Sequence, residues 1–289
     1  MKISSLFGQG KTVFSFEIFP PKKTSSVETI YNTLEELKDL KPDFISVTYG
    51  AGGTMTEAGK SKTCEIASII KEKYNITPVA HLSCVNSTRE QVAAELNALK
   101  ENGIENILAL RGDINPDVPR CNDFAYASDL VSFIKEHGDF GISGACYPEG
   151  HAEAESMVQD ILNLKKKVDA GVTHLMSQLF FDNSYFYEFI EKARIAGVNV
   201  PVEAGIMPVT NKSQIERMVT MCGASLPHKF VRTMQRFENN PEALRDAGIA
   251  YAIDQIVDLI SNGVDGIHLY TMNNPYVAER ISGAVSRLL

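Results

Sequence analysis

The chain of 289 residues contains no tryptophan, five cysteines and no excess of basic residues. Cys64, Cys84, Cys121, Cys146 and Cys222 are scattered, odd in number and form no CxxC pair. That pattern argues for reduced thiols and against a structural zinc site. With 28 Lys and Arg against 36 Asp and Glu, the formal net charge is -8. Such a balance excludes a general nucleic-acid or anionic-membrane surface, though a few local cations could still hold an anionic ligand. No apolar run approaches the length that spans a bilayer. The opening MKISSLFGQGK has no apolar stretch long enough for a secretory signal, so a cytoplasmic protein is expected. No low-complexity tract, linker or charge block divides the chain, and residues 1–289 are expected to form one domain.

What is present is an alternation. Eight short β-branched or aromatic runs read as strands: VFSFEIF, FISVTYG, ITPVAHLSC, NILALRG, GISGACYP, HLMSQLFF, VPVEAGIMP and GIHLYTM. Amphipathic segments separate them, among them SVETIYNTLEELKDL, TREQVAAELNALKENG and EAESMVQDILNLKKKVDAG. The second opens with a capping box from Thr88 to Gln91 and stops at Gly103, and the third stops at Gly171. A repeated β-then-α order calls for parallel strands with crossover helices, and eight such units fit a closed (β/α)8 TIM barrel. Between GIMP and GIHLYTM the chain is long enough for extra helices before the last strand, expected at roughly 211–222, 226–237 and 241–262.

In such a barrel the active site lies at the C-terminal ends of the strands. Those ends supply Glu17, Thr48, His81, Arg111 with Asp113, Tyr147, Gln178 and Tyr270. Small or apolar residues, Ser15, Ser46, Val79 and Ala109, are expected at neighbouring inward positions. One polar strand end is ordinarily solvated, but one from each of seven strands argues for a shared site. Alternation along β1 sets Ser15, Glu17 and Phe19 opposite Phe14, Phe16 and Ile18. The position of Glu17 is unusual, because an apolar strand's exit favours the protonated form of a carboxyl group. No lysine stands at these exits to form a Schiff base, and His81 is isolated from other metal-ligand candidates in the sequence. No GxGxxG leads from a strand into a helix. Redox chemistry here would need a cofactor.

Seven collinear motifs then carry a resemblance: FSFEIFPP, FISVTYGAGGT, HLSC, ILALRGD, YPEGH, DILNLKKKVDAG and SQLFFD. In order, and from about residue 13 to the end, the chain resembles the methylenetetrahydrofolate reductase family in its single-domain bacterial form. The resemblance implies a (β/α)8 barrel with noncovalent FAD that reduces 5,10-methylenetetrahydrofolate to 5-methyltetrahydrofolate, in one-carbon metabolism and methionine biosynthesis. It implies NADH or NADPH as electron donor by a ping-pong route. It also implies Glu17 as catalytic acid, with Thr48, Tyr49 and Ala51 along the flavin and nicotinamide region. His81, Arg111, Gly112, Asp113, Tyr126, Ala127, His151, Asp160, Asn163, Lys166 and Lys167 would contact FAD, and Tyr147 and Gln178 would lie near flavin and pterin. Tyr270 joins the substrate-facing set with Glu17, Asp113 and Gln178. Family habit implies a homo-oligomer, and some members take electrons from a partner protein instead of a nicotinamide.

The residue types suit these roles. Arg111, His81 and Lys167 are donors suited to a pyrophosphate, and Asp160 or Asn163 could take ribose or adenine edges. Asp160, Asn163 and Lys167 recur on one side of a helix, while Lys165 reads as solvated. Protonating N10 opens the substrate's five-membered ring to an N5 iminium that accepts hydride; Glu17 would supply that proton, and an ionised Asp113, paired with Arg111 or nearby donors, would favour the cation. Three positions depart from the family pattern. Glu203 and Ala204 stand where an apolar residue and a proline are common, with Glu203 expected as a strand-entry side chain meeting water. Asn274 stands where some members carry an arginine, and Arg232 near a substrate-binding glutamine. Two other functions compete: a different FAD-dependent barrel oxidoreductase, of which proline dehydrogenase is a fold-level cousin, and a catalytically idle partner-binding scaffold.

Overall fold

The computed structural model describes residues 1–21, 28–49, 61–114, 121–215 and 222–289. All eight expected strands form: β1 Val13–Ile18, β2 Phe44–Val47, β3 Thr77–Ser83, β4 Asn106–Leu110, β5 Gly141–Cys146, β6 His174–Ser177, β7 Val202–Ile206 and β8 Gly266–Tyr270. They pair in parallel in sequence order and β8 closes on β1, giving a complete TIM barrel. The strands stop a residue or more before the apolar runs end.

Helices fill the connections: α1 Glu28–Leu37, α2 Lys62–Tyr74, α3 Arg89–Glu101, α4 Ala127–His137, α5 Met157–Ala170 and α6 Asn183–Ile195. The Thr88 capping box is present, with the Gln91 N–H donating to the Thr88 hydroxyl at 3.2 Å and the Thr88 N–H to the Gln91 side chain at 2.9 Å. Such a cap satisfies N–H groups that have no partner within the helix. Of the extra helices, α7 His228–Phe237 and α8 Pro241–Ser261 lie where expected. For the first, residues 212–215 are helical and 216–221 fall outside the described residues. The last helix, α9, spans Pro275–Val285.

Outward-facing Phe14, Phe16 and Ile18 join Ile45, Val47, Ile107 and the inner faces of the helices in one large buried cluster. Phe16 and Ile18 have no exposed surface, and each such side chain contributes roughly 1.5–3 kcal/mol through burial. Ala109 lies in this outer layer, a correction to the inward position expected for it; Leu108 and Leu110 take the inward positions on β4. The barrel floor is apolar: Ile3, Leu6 and Phe7 pack beneath Val13, Phe44, Val79, Leu108 and Met176. Asn106 ties this N-terminal strap to the strands by accepting from the Ile3 N–H at 2.9 Å. Among the described residues no helix is long and apolar enough to cross a membrane.

Candidate active site

A cavity of about 950 Å³ opens at the C-terminal ends of the strands, at the upper end of the range for small-molecule sites. Glu17, Thr48, Tyr49, His81, Arg111, Gly112, Asp113, Tyr147, His151, Gln178 and Tyr270 all line it. Strand register accounts for this convergence. Residues two apart on a strand face the same side, and Glu17 pairs with Tyr270 while Ser15 below it pairs with His268. The parity read from β1 therefore holds, with Glu17 inside and Phe16 outside.

Glu17 keeps 20% of its side chain exposed, and its Oε2 lies 3.6 Å from Nε2 of both His81 and His268. Burial pushes the His81 pKa down to about 4, against a partly opposing pull from Glu17. The ring is thus neutral near pH 7 and the Glu17 contact is not an ion pair. His81 Nε2 is buried without a hydrogen-bond partner. Two histidines around one carboxylate suggest a metal, yet no described group of three or more His, Cys, Asp or Glu could hold one.

Arg111 is bound differently from expectation. Its guanidinium donates to both Glu153 carboxylate oxygens, at 2.7 and 2.6 Å, rather than pairing with Asp113. Bidentate geometry fixes the guanidinium plane and outcompetes a single contact to exposed Asp113. Gly112 adopts φ +89°, and a Cβ there would meet the Ser83 Cβ at 3.0 Å. Tyr147 lies edge-on to His151 at 4.7 Å, and burial raises its pKa to about 12. The Tyr270 hydroxyl donates to the Ser177 carbonyl at 2.7 Å, which holds the ring against the cavity wall.

Other predicted residues lie beyond the cavity lining. Lys167 donates to the Ala145 carbonyl at 2.7 Å, and burial lowers its pKa. Asp160 accepts from the His151 N–H at 3.2 Å, and burial raises its pKa. Asn163 is exposed, bonded to Gln159 at 3.1 Å and Lys166 at 3.3 Å along its own helix. Tyr126 is exposed at the start of α4 and Ala127 is buried beside it. Ala51 falls outside the described residues. Lys165 pairs with Asp169 on the solvent side of α5, as expected. Asn274 caps α9, accepting from the Val277 N–H at 3.4 Å, and Arg232 is exposed.

The sequence reading missed or misplaced several polar residues. Glu95 and Gln91 reach the cavity from α3, and Glu95 is buried against Ser61. His268 lies directly under the cavity, two residues before Tyr270, and parity from Tyr270 could have found it. Glu203 is the largest correction: it has no exposed surface and points into the barrel instead of meeting water. Its oxygen accepts from the Ser15 hydroxyl at 2.9 Å, and burial pushes its pKa up to about 7.

Comparison with known proteins agrees with the geometry. The methylenetetrahydrofolate reductase family profile matches residues 2–285. The chain is 37% identical to the 5,10-methylenetetrahydrofolate reductase of Pectobacterium carotovorum, covering 94% of this chain and 90% of that protein. Identity to the Escherichia coli 5,10-methylenetetrahydrofolate reductase is 36% over the same shares. The Arabidopsis thaliana methylenetetrahydrofolate reductase (NADH) 1 is 37% identical, but the chain spans 48% of its length. A solved Clostridium thermocellum structure, described as binding two copies of 5-methyl-5,6,7,8-tetrahydrofolic acid, shares the fold with a TM-score of 0.65 and 14% identity, covering 96% of this chain and 95% of that one. With the family profile covering residues 2–285 and 36–37% identity to the two bacterial enzymes over 94% of the chain, the protein belongs to the methylenetetrahydrofolate reductase family.

Proposed function

We propose that this chain reduces 5,10-methylenetetrahydrofolate to 5-methyltetrahydrofolate, with FAD at the barrel mouth, NADH or NADPH as electron source, and Glu17 as the acid that protonates N10. The observation that carries the reading is the setting of Glu17. It is the carboxylate that enters the cavity from a strand interior, between two imidazoles and with enough exposure to touch a ligand. A proton donor must reach its acceptor before its acidity matters.

The residues present fit a flavin dinucleotide. The cavity has room for a large ligand, the buried His81 Nε2 lacks a partner, and Arg111 carries a guanidinium suited to phosphate oxygens, for which a ligand would compete with Glu153. The close approach of Gly112 to Ser83 leaves no space for a side chain there, so backbone rather than bulk faces the cavity. Bound FAD would supply hydride transfer, which no side chain can perform. Arg111 and His81 would hold the pyrophosphate, with Lys167 supporting from the β5 end. Asp160 and His151 would meet the ribose, and Tyr147 and Gln178 the ring region. Asp113, exposed at the rim, would face the cation formed when N10 is protonated. Tyr270 shapes the pterin wall, since its hydroxyl is already engaged.

Two half-reactions test the assignment. Glu17→Gln keeps size and a hydrogen-bond donor but removes the transferable proton. Nicotinamide-driven flavin reduction should stay near the parent rate, while folate reduction falls by about 10²–10⁴-fold, the usual share of a general acid. Stopped-flow measurement of both halves decides it, and folate reduction at the parent rate would reject the role given to Glu17.

A further inference from the structure

Beneath Glu17 the barrel interior is polar through three successive rows. Glu203 lies level with Gly266 on β8, His268 level with Ser15 and Gly205, and Tyr270 level with Glu17. The Ser15 hydroxyl is 2.7 Å from His268 Nδ1 and 2.9 Å from Glu203 Oε1. His268 Nε2 lies 3.6 Å from Glu17 Oε2 and 3.3 Å from the Ser46 hydroxyl. A continuous column thus runs from Glu17 through His268 and Ser15 to Glu203. Room for its lowest member comes from Gly266, where a Cβ would stand 2.7 Å from the Glu203 Cγ.

The column is open at one end. Ile3, Leu6 and Phe7 close the floor, and Phe7 also packs on His174 at 5.2 Å between ring centroids. His174 Nε2 lies 3.6 Å from Glu203 Oε2. Burial pushes the His174 pKa down to about 3, so the ring is neutral and that contact is not an ion pair. Neither His174 nitrogen has a hydrogen-bond partner, nor does Glu203 Oε2. The remaining titratable neighbours are His81 and Tyr270 near the top, and Asp43 and Asp265 at the strand entries, whose charges push the Glu203 pKa upward.

We propose that Glu203 is a buried proton store for Glu17, connected to it by His268 and Ser15. The proposal rests on the reading of Glu17 as the acid. Once Glu17 has given its proton to N10 it is a carboxylate, able to take that proton back and reclose the ring. His268 then passes the Nε2 proton to Glu17, the Ser15 hydroxyl passes its proton to His268 Nδ1, and the Glu203 carboxyl passes its proton to Ser15. The net change is one proton moved from Glu203 to Glu17, with the His268 proton left on Nδ1 instead of Nε2; running the relay backwards restores it. The 3.6 Å step at Glu17 exceeds a hydrogen bond, so it requires a small rotation of that side chain. When product leaves and water returns to Glu17, the same route refills Glu203, because apolar Ile3, Leu6 and Phe7 close the floor. A carboxyl titrating near pH 7 can give and take a proton at small cost under physiological conditions.

Ring-nitrogen NMR of the full-length protein labelled with ¹⁵N-histidine tests the column without turnover. The His268 nitrogen shifts should carry an inflection from the Glu203 carboxyl, whose burial pushes its pKa up to about 7. That inflection should vanish in Glu203→Gln, which keeps the shape but cannot titrate. Ser15→Ala, which cuts the link and leaves Glu203 in place, should also remove it and serves if Glu203→Gln does not fold. An inflection that survives both substitutions, or is missing from the parent, overturns the proposal. In turnover, Glu203→Gln should slow the folate half-reaction by about tenfold above pH 7, less than the ~10²–10⁴-fold of the acid itself. Normal folate reduction by Glu17→Gln would instead remove the reading of Glu17 while leaving the NMR result to judge the column.

Discussion

Glu17 and Glu203 belong to the interior of the same barrel, two rows apart, yet 20% of one side chain is exposed and none of the other. The histidines divide in the same way. His81 borders the cavity with an unpartnered nitrogen, whereas His174 is shut in against Phe7 and Phe44. Mouth and floor therefore use the same residue types for different ends. At the mouth an imperfectly satisfied polar group is a place for a ligand. At the floor it raises the free energy of every charged form, because no ligand or water reaches it.

The widest test of this contrast is the dependence of stability on pH. His174 and His81 have folded pKa values lowered to about 3 and about 4 from 6.5. Each then contributes stability above pH 6.5 that is lost as pH falls, at about 1.4 kcal/mol per pH unit. Glu203, raised from 4.5 to about 7, has the opposite sign. Its contribution is complete below pH 4.5 and lost as pH rises through 7. Between 4.5 and 6.5 the two rings outweigh the single carboxyl, so these groups together favour a maximum near pH 6.5. His174→Leu should flatten the acid limb, reducing the loss between pH 7 and pH 4 by about 3 kcal/mol relative to the parent. Urea melts across that range measure it, and parallel curves for the two proteins would contradict the neutral burial of His174.

Between mouth and floor, Gly205 sets how closely β7 approaches its neighbours. A Cβ there would lie 2.3 Å from the Ser177 carbonyl oxygen and 2.7 Å from the Tyr270 hydroxyl. Backbone cannot move aside cheaply, so Gly205→Ala should cost about 1–3 kcal/mol through overpacking. It should also break the Tyr270 bond to Ser177. A thermal melt reads the first effect, and weakened folate binding the second. An unchanged melting temperature would mean the strands tolerate a wider spacing.

How much of this was readable beforehand differs between the two regions. Strand number, order, the Thr88 cap and the convergence of strand ends follow from local periodicity and turn chemistry, and all are present. The floor was not readable. Glu203 sits near the start of an apolar run, where a glutamate ordinarily meets water, and its burial depends on Gly266 across the sheet and the strap from residues 3 to 7. Neither is local to it in sequence. Helix periodicity failed more mildly at α5. At about 100° per residue, Lys167 returns within roughly 20° of Asp160, while Asn163 is turned about 60° away. Asp160 and Lys167 therefore face the barrel and Asn163 faces solvent.

At the mouth, Arg111 is held by Glu153, and a pyrophosphate would compete for the same donors. Arg111→Ala should weaken FAD retention by about 1.5–3 kcal/mol, the worth of a charged hydrogen bond. Glu153→Gln should do the reverse, by less, because it loosens the competing partner without removing the donors. Flavin titration of the stripped protein would compare the two. Equal losses from both variants would show that the Arg111 to Glu153 pair is a support for the loop and that the phosphate contact lies elsewhere.

The smallest effect separates the rim from the cavity. The family resemblance set Asn274 apart as a departure from an expected arginine, and its side chain closes the first turn of α9 by accepting the Val277 N–H. Asn273 beside it is occupied too, bonded to both the N–H and the carbonyl of Phe19 at 3.0 and 2.8 Å. These bonds tie the β8 exit to the β1 exit, next to Glu17. Asn274→Ala should cost about 1 kcal/mol of stability, the usual loss for an N-cap. Asn274→Ser, which can still cap, should recover most of it. Because the side chain is committed to the helix, the folate KM should stay the same in both variants. A rise in KM in Asn274→Ala that Asn274→Ser does not repair would make this residue part of the folate site, and the cap a secondary role.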